Sequence, residues 1–261
     1  MTKATSHLAS GPVALAHRGF SGGTSHALEN SMAAFRAAAE LGYRWVETDV
    51  HATVDGVLVA FHDTTLDRTS DGAGAIAHLP WEVVARARIA GHEPIPRLAE
   101  LLTQLPQVCV NIDVKSAGAV TPLIECIERC GAHDRVRIAS FSDARRRAVL
   151  AGLTRPVRSS PGQSRTIALW LAAHLPVVGS PLVARLAHGI DAVQIPERQG
   201  RLRVLTPRLL RALHGAGLDV HVWTVNERAD MERLLDLGVD GLITDRADVL
   251  KDILVERGEW V

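Results

Sequence analysis

Four short groups of polar residues could do chemistry if they met. His17-Arg18 closes an apolar run, and Glu47 and Asp49 lie two apart within another. His62-Asp63 follows a third extended piece, and Asp113 and Lys115 lie two apart at the end of a fourth. Residues two apart in a strand point to the same face. Glu47 with Asp49, and Asp113 with Lys115, therefore each present both side chains to one side. Three carboxylates in one cleft repel each other and resist desolvation unless a cation joins them. An all-oxygen set of this kind suits Mg2+ or Ca2+ better than zinc or copper. His17 and His62 are the natural acid–base candidates, because imidazole titrates near neutral pH. Arg18 offers a planar fork of donors that matches a phosphoryl group. Trp223 reads equally as a pocket wall or as core. The plainer alternatives are that Glu47 pairs with a lysine or arginine, Asp49 caps a loop and Arg18 makes an ordinary salt bridge. The like placement of Asp113 and Lys115 weighs against the first two, while Arg18 reads equally as a phosphoryl clamp or a salt bridge.

The elements that must position these residues follow from periodicity. Val13 to His17 reads as a first strand, and Asn30-Ser31 as the cap of a helix over Met32 to Leu41. Trp45 to His51 alternates as a second strand, and Asp55-Gly56 turns the chain into Val57 to Phe61. Helices are expected over Arg97 to Leu105, Ala119 to Cys130, Ser142 to Ala151, Ile167 to His174, Pro207 to Ala216, Glu227 to Leu237 and Ala247 to Arg257. Strands are expected over Val108 to Val114, Arg135 to Ala139, Ala192 to Ile195, Asp219 to Val225 and Gly241 to Thr244, with a weak one within Arg155 to Thr166. Strands alternating with helices predict a parallel sheet. The Gly-rich stretch Gly19 to Thr24 has neither GxGxxG spacing nor the GK of a P-loop, which disfavours a nucleotide-binding open sheet. The expected class is α/β, a (β/α)8 TIM barrel, in which polar residues at the C-terminal ends of strands are where catalysis sits. The 261 residues suit one barrel domain, with a small insertion at about 64–92.

Composition narrows the partners. The 29 basic and 29 acidic residues cancel, and aromatic residues are only 4%, so neither a nucleic-acid binder nor a polybasic membrane anchor is supported. Cys109, Cys126 and Cys130 lack a CxxC pair, and Cys126 and Cys130, four apart on one helix face, read as a buried pair of thiols. Most of the other histidines, His7, His78, His92, His133, His174, His188 and His214, read as surface residues. The opening residues carry no apolar signal region and no run is long enough to span a bilayer, so the expectation is a cytoplasmic protein without stable membrane insertion. The oligomeric state has no signature in the chain.

In order, the sequence reads AHRG from Ala16, EN at Glu29-Asn30, ETDV from Glu47 and GVLVAFHDTTLDRTSDGAG from Gly56. IPRLAELL from Ile95, NIDVK from Asn111, SF at Ser140-Phe141, VHVWTVN from Val220 and GVDGLITDRAD from Gly238 follow. Together these pieces, spread over nearly the whole chain, resemble the glycerophosphodiester phosphodiesterase family. The resemblance implies a TIM barrel that hydrolyses glycerophosphodiesters to glycerol 3-phosphate and an alcohol with one divalent cation, Mg2+ or Ca2+, Mn2+ being a third option. It implies His17 and His62 as the acid–base pair, Arg18 and Lys115 as phosphate contacts, Trp223 in the substrate wall, and Glu47, Asp49 and Asp113 as metal ligands. Asp113 stands where the family usually has glutamate, a ligand one methylene shorter. Leu28 stands where many relatives have proline, so a less rigid loop is expected there. An insertion of this kind covers the pocket in relatives. The same centre would serve phospholipase D-like hydrolysis of lysophospholipids if an apolar groove existed, for which Ala75 to Ile89 is one source, unless those residues are the insertion's own core. A noncatalytic phosphodiester-binding barrel would lack a histidine or a metal ligand, and none is missing.

Overall fold

Strand β1 (Val13–His17) pairs in parallel with β2 (Trp45–Ala52), which pairs with β3 (Cys109–Val114). The same parallel pairing runs on through β4 (Val136–Ala139) to β5 (Arg158–Ser159). On the other side of β1 lie β8 (Gly241–Thr244), β7 (Asp219–Trp223) and β6 (Ala192–Pro196). The computed structural model describes residues 11–22, 27–176 and 179–260. The sheet order β5-β4-β3-β2-β1-β8-β7-β6 is a nearly closed barrel. The gap between β5 and β6 is bridged without a ladder. The Asp191 N–H donates to the Ser159 carbonyl (3.1 Å), and the Ser159 N–H to Asp191 Oδ2 (2.5 Å).

Helices follow the strands, as the crossover between parallel strands requires. They are α1 (Met32–Glu40), α2 (Leu98–Gln104), α3 (Val120–Cys130), α4 (Asp143–Gly152), α5 (Gln163–Ala173), α6 (Gly179–Leu186), α7 (Pro207–Gly215), α8 (Arg228–Leu237) and α9 (Ala247–Glu256). Ser31 caps α1, its Oγ accepting from the Ala34 N–H (3.1 Å), and Thr206 caps α7 in the same way with Pro207 at the first position. Outward strand residues such as Val46, Val50, Val110 and Ile112 pack with Phe35, Leu98 and Leu123 of the helices. A second such layer joins β6 and β7 to α5, α7, α8 and α9. Leu15, Trp45 and Ile243 fill the barrel interior.

After β2 the chain turns at Asp55-Gly56, and Leu58–Ala60 returns antiparallel along the end of β2. The Phe61 N–H donates to the Asp49 carbonyl (3.0 Å), which delivers His62 to the barrel mouth. Residues 64–92 then form an insertion with its own core, Leu66, Ile76, Val84, Ala87 and Ile89 against Val59, Phe61 and Ile95. Ile76, Val84, Ala87 and Ile89 are therefore consumed in this packing, Leu79 and Trp81 are partly buried against it, Val83 is exposed, and none of Ala75 to Ile89 lines the cavity at the barrel mouth.

The structure corrects other expectations. The weak strand within 155–166 is only Arg158–Ser159. Helix α6 and the hairpin of Arg198–Gln199 with Leu202–Arg203 had no counterpart in the sequence reading. His133 is buried, its Nε2 lying 3.1 Å from Glu128 Oε1, rather than on the surface, and His174 is half-buried. Cys126 is buried, but Cys130 is only half-buried. His7 and residues 23–24 of the Gly-rich stretch lie outside the described residues. No helix among the described residues is long and apolar enough to cross a membrane.

Candidate active site

The mouth of the barrel opens into a cavity of about 610 Å3 lined by His17, Arg18, Glu47, Asp49, His62, Asp113, Lys115 and Trp223 together. Strand register explains the meeting. His17 on β1 is level with Glu47 on β2, and Asp49 on β2 is level with Asp113 on β3. Residues facing inward at the C-terminal ends of adjacent strands must share the mouth. Arg18, just beyond β1, has a left-handed backbone (φ 57°), and its N–H donates to Glu47 Oε2 (3.3 Å). Gly19 follows at φ 84°, and a Cβ there would lie 2.7 Å from the Ala34 backbone, so only glycine lets the loop pass α1.

Each histidine has one ring nitrogen engaged by a carboxylate. His17 Nδ1 lies 2.7 Å from Asp245 Oδ1, and its Nε2 lies 3.9 Å from Glu47 Oε2. Asp245 Oδ2 accepts from Asn226 Nδ2 (2.7 Å), and Asn226 Oδ1 accepts from the Asp245 N–H (3.0 Å) and the Thr244 hydroxyl (3.2 Å). His62 Nδ1 lies 2.6 Å from Asp63 Oδ1. A carboxylate on Nδ1 favours the tautomer that leaves Nε2 for proton transfer. Burial lowers the pKa of His17, but Asp245 and Glu47 outweigh it and the net shift is upward.

The acids respond to burial and to each other. Burial, then the neighbouring Asp49, pushes Glu47 up to about 8. Burial acts the same way on Asp49, yet Lys115 and Arg18 hold it below its ordinary value. Lys115 Nζ lies 2.8 Å from Asp49 Oδ1 and 2.7 Å from Asp113 Oδ2. Asp49 Oδ2 lies 3.3 Å from Arg18 Nε and accepts from Asn30 Nδ2 (3.1 Å). As the side chains stand, no group of three acidic, histidine or cysteine residues among the described residues is arranged around an ion, because the ammonium of Lys115 lies between two of the acids. The donor chemistry nevertheless fits a hard divalent cation. Asp113 Oδ1 is buried without a hydrogen-bond partner, and Glu47 lacks enough nearby positive charge to ionise readily.

Part of the lining is apolar, and it begins beside the charged groups, with Lys115 Nζ 5.7 Å from the centre of the Phe141 ring. Phe141, Ile167, Trp170, Leu171 and Leu202 form this wall with Trp223, whose ring meets that of Phe141 edge-on at 6.1 Å. Trp223 thus belongs to the cavity wall. Ile167, Leu171 and Leu202 are each more than half exposed, so this wall runs out onto the surface.

Sequence reading missed Asp245, Asn226, Glu29 and Arg68 as parts of the site. Asp245 directly follows the last strand, the position at which a barrel places functional side chains, and that signal was available. Arg68 lies in the insertion and carried no such signal.

The model of the glycerophosphoryl diester phosphodiesterase family matches residues 17–249. A Mycobacterium tuberculosis protein named "Probable glycerophosphodiester phosphodiesterase 2" is 49% identical over 96% of this chain and 93% of its own length. A glycerophosphodiester phosphodiesterase of Caldanaerobacter subterraneus is 30% identical over 94% of this chain and 98% of its own. Among solved structures, an Oleispira antarctica phosphodiesterase in complex with the product sn-glycerol-3-phosphate superposes with a TM-score of 0.76 at 21% identity, over 94% of this chain and 97% of that one, a likeness of fold.

Proposed function

This chain belongs to the glycerophosphoryl diester phosphodiesterase family, and from that premise we propose that it hydrolyses small glycerophosphodiesters to glycerol 3-phosphate and an alcohol with the help of one divalent cation. It is an enzyme, a phosphoric diester hydrolase. The observation that carries the finer reading is the pairing of two carboxylate-held histidines, His17 and His62, with Arg18 and Lys115 in one cavity. Arg18 and Lys115 bring positive charge to the nonbridging oxygens, where negative charge grows as the diester is attacked. One histidine takes the proton of the attacking hydroxyl as the new P–O bond forms, from water directly or from the glycerol 2-hydroxyl, in which case water then opens the cyclic phosphate to glycerol 3-phosphate. The other gives a proton to the alkoxide as the old P–O bond breaks. Glu47, Asp49 and Asp113 would hold the cation, Mg2+ or Ca2+ with Mn2+ as a third option, which when bound neutralises phosphoryl charge. Trp223 supports the substrate along the wall it lines.

The test is release of glycerol 3-phosphate from glycerophosphocholine by metal-stripped protein, then with Mg2+, Ca2+ or Mn2+ added, beside a His17→Ala control. Metal-dependent release that disappears in the control is expected. No release with any of the three cations would overturn the reading for this substrate. The apolar wall supports a second reading, phospholipase D-like hydrolysis of lysophospholipids, with the acyl chain along Phe141, Ile167 and Leu171. Release of choline from lysophosphatidylcholine, with lysophosphatidic acid as the other product, separates the two.

A further inference from the structure

The insertion reaches the site through one side chain. Arg68 Nε and Nη2 donate to the two oxygens of Asp63 (2.6 and 3.1 Å). The same guanidinium donates to both oxygens of Glu29, from Nη2 at 2.5 Å and from Nη1 at 3.4 Å. Asp63 holds His62 Nδ1, and Glu29 Oε1 accepts from Arg18 Nη1 (3.1 Å). Arg68 thus stands where the supports of His62 and Arg18 converge.

We propose that Arg68 is a positioning residue for both halves of the reaction, fixing His62 through Asp63 and Arg18 through Glu29. The inference rests on the function proposed above for that site. The side chain of Glu29 is only 6% exposed and lies between two guanidiniums. Without Arg68 it would turn wholly to Arg18 and draw that fork away from a phosphoryl group. Asp63, a quarter exposed, would keep His62 but lose the bidentate grip that sets its angle. The backbone of Arg68 is well placed to act as an anchor. Leu66 beside it is buried in the insertion core, and the Ser70 N–H donates to the Leu66 carbonyl (3.2 Å). Arg68 itself is nearly half exposed, and an exposed ion pair contributes little to stability. Its loss should therefore be felt in function rather than in folding.

The two supports separate kinetically. Asp63→Asn should lower kcat with little change in KM, and Glu29→Gln should raise KM with little change in kcat. Arg68→Ala should do both, on the order of tenfold in each, with Tm within a few degrees of wild type. Arg68→Lys should recover only part, since a single ammonium cannot grip two carboxylates bidentately. The Arg68→Ala/Asp63→Asn double variant should lose no more in kcat than the worse single one. Additive losses in that pair, or an Arg68→Ala enzyme within twofold of wild type in both constants, would overturn the proposal. The nitrogen NMR signals of the His62 ring give a readout that needs no turnover. Broadened or shifted signals in Arg68→Ala are expected even if the wild-type protein releases no glycerol 3-phosphate, whereas unchanged signals would overturn the His62 half.

Discussion

His17 and His62 face one cavity but are held by different kinds of structure. The His17 arm is barrel. Its partner Asp245 is 228 residues away in sequence, just past the adjacent strand β8, and Asn226 beyond β7 locks that carboxylate. The side chains of His17 and Asp245 are 18% and 14% exposed. The His62 arm is local. Asp63 is the next residue, Arg68 is five further on, and exposure rises from 33% at His62 to 47% at Arg68. Parallel ladders on both sides of β1 fix the first arm, whereas ion pairs reached by solvent fix the second. A site built this way keeps one proton carrier rigid and hangs the other on a segment whose geometry ions can disturb.

The largest effect is expected from His17→Ala and His62→Ala, each lowering kcat by about 10²- to 10⁴-fold in glycerophosphocholine hydrolysis. If either variant keeps near-normal kcat, that histidine is not a proton carrier. Next, Asp245→Asn should lower kcat by on the order of 100-fold, because an amide can present its N–H to His17 and favour the wrong tautomer. A smaller loss than in Asp63→Asn would reverse the ranking of the two arms. Asp63→Asn should lose roughly tenfold. Wild-type kcat should also fall modestly as salt rises toward 1 M, where the Debye length shrinks to about 3 Å, and Asp63→Asn should show a weaker fall. A salt effect of equal size in both proteins would remove ion-pair support of His62 as its cause.

The smallest effect is a titration. In the metal-free protein His17 should lose its proton above the ordinary histidine value of 6.5, whereas buried His221 should stay neutral well below it. A raised folded-state pKa adds stability that is full below the unfolded value and fades as pH rises through the folded one. His17 should therefore add a decline in stability from near pH 6.5 upward to the one that Glu47, raised to about 8, contributes from its ordinary value of 4.5, and Asp245→Asn should flatten the His17 part. Proton NMR of the two rings and unfolding curves across pH check this. A His17 midpoint at or below 6.5 would show that burial, rather than Asp245, dominates there.

Much of this was legible in the chain. The alternation of β2 placed Glu47 and Asp49 on one face, and the βα rhythm predicted a barrel whose eight strands the structure contains. Ser31 was a readable cap because an N-cap is a contact within four residues. Helix α6 and the hairpin at 198–203 were not anticipated, and β5 shrank to two residues on the open side of the sheet. His133 was not placed because its burial, with Nε2 3.1 Å from Glu128 Oε1 near the end of α3, lies in a turn that strand and helix periodicities do not describe.

The sequence by itself determined which residues lie on strand ends and which way they point, because side-chain direction is a local property of φ and ψ with a period of two or of 3.6. It also determined the donor types, and hence the chemistry open to them. The tertiary structure alone decided who meets whom. It set Lys115 between Asp49 and Asp113, Asp245 on His17, and Arg68 between Asp63 and Glu29. It also turned Leu66, Ile76, Val84, Ala87 and Ile89 of the insertion inward and made the pocket wall from Phe141, Ile167 and Leu171 instead. The reason is physical. Strand pairing across a barrel and the packing of an inserted loop join residues far apart in the chain, and no local periodicity carries that information.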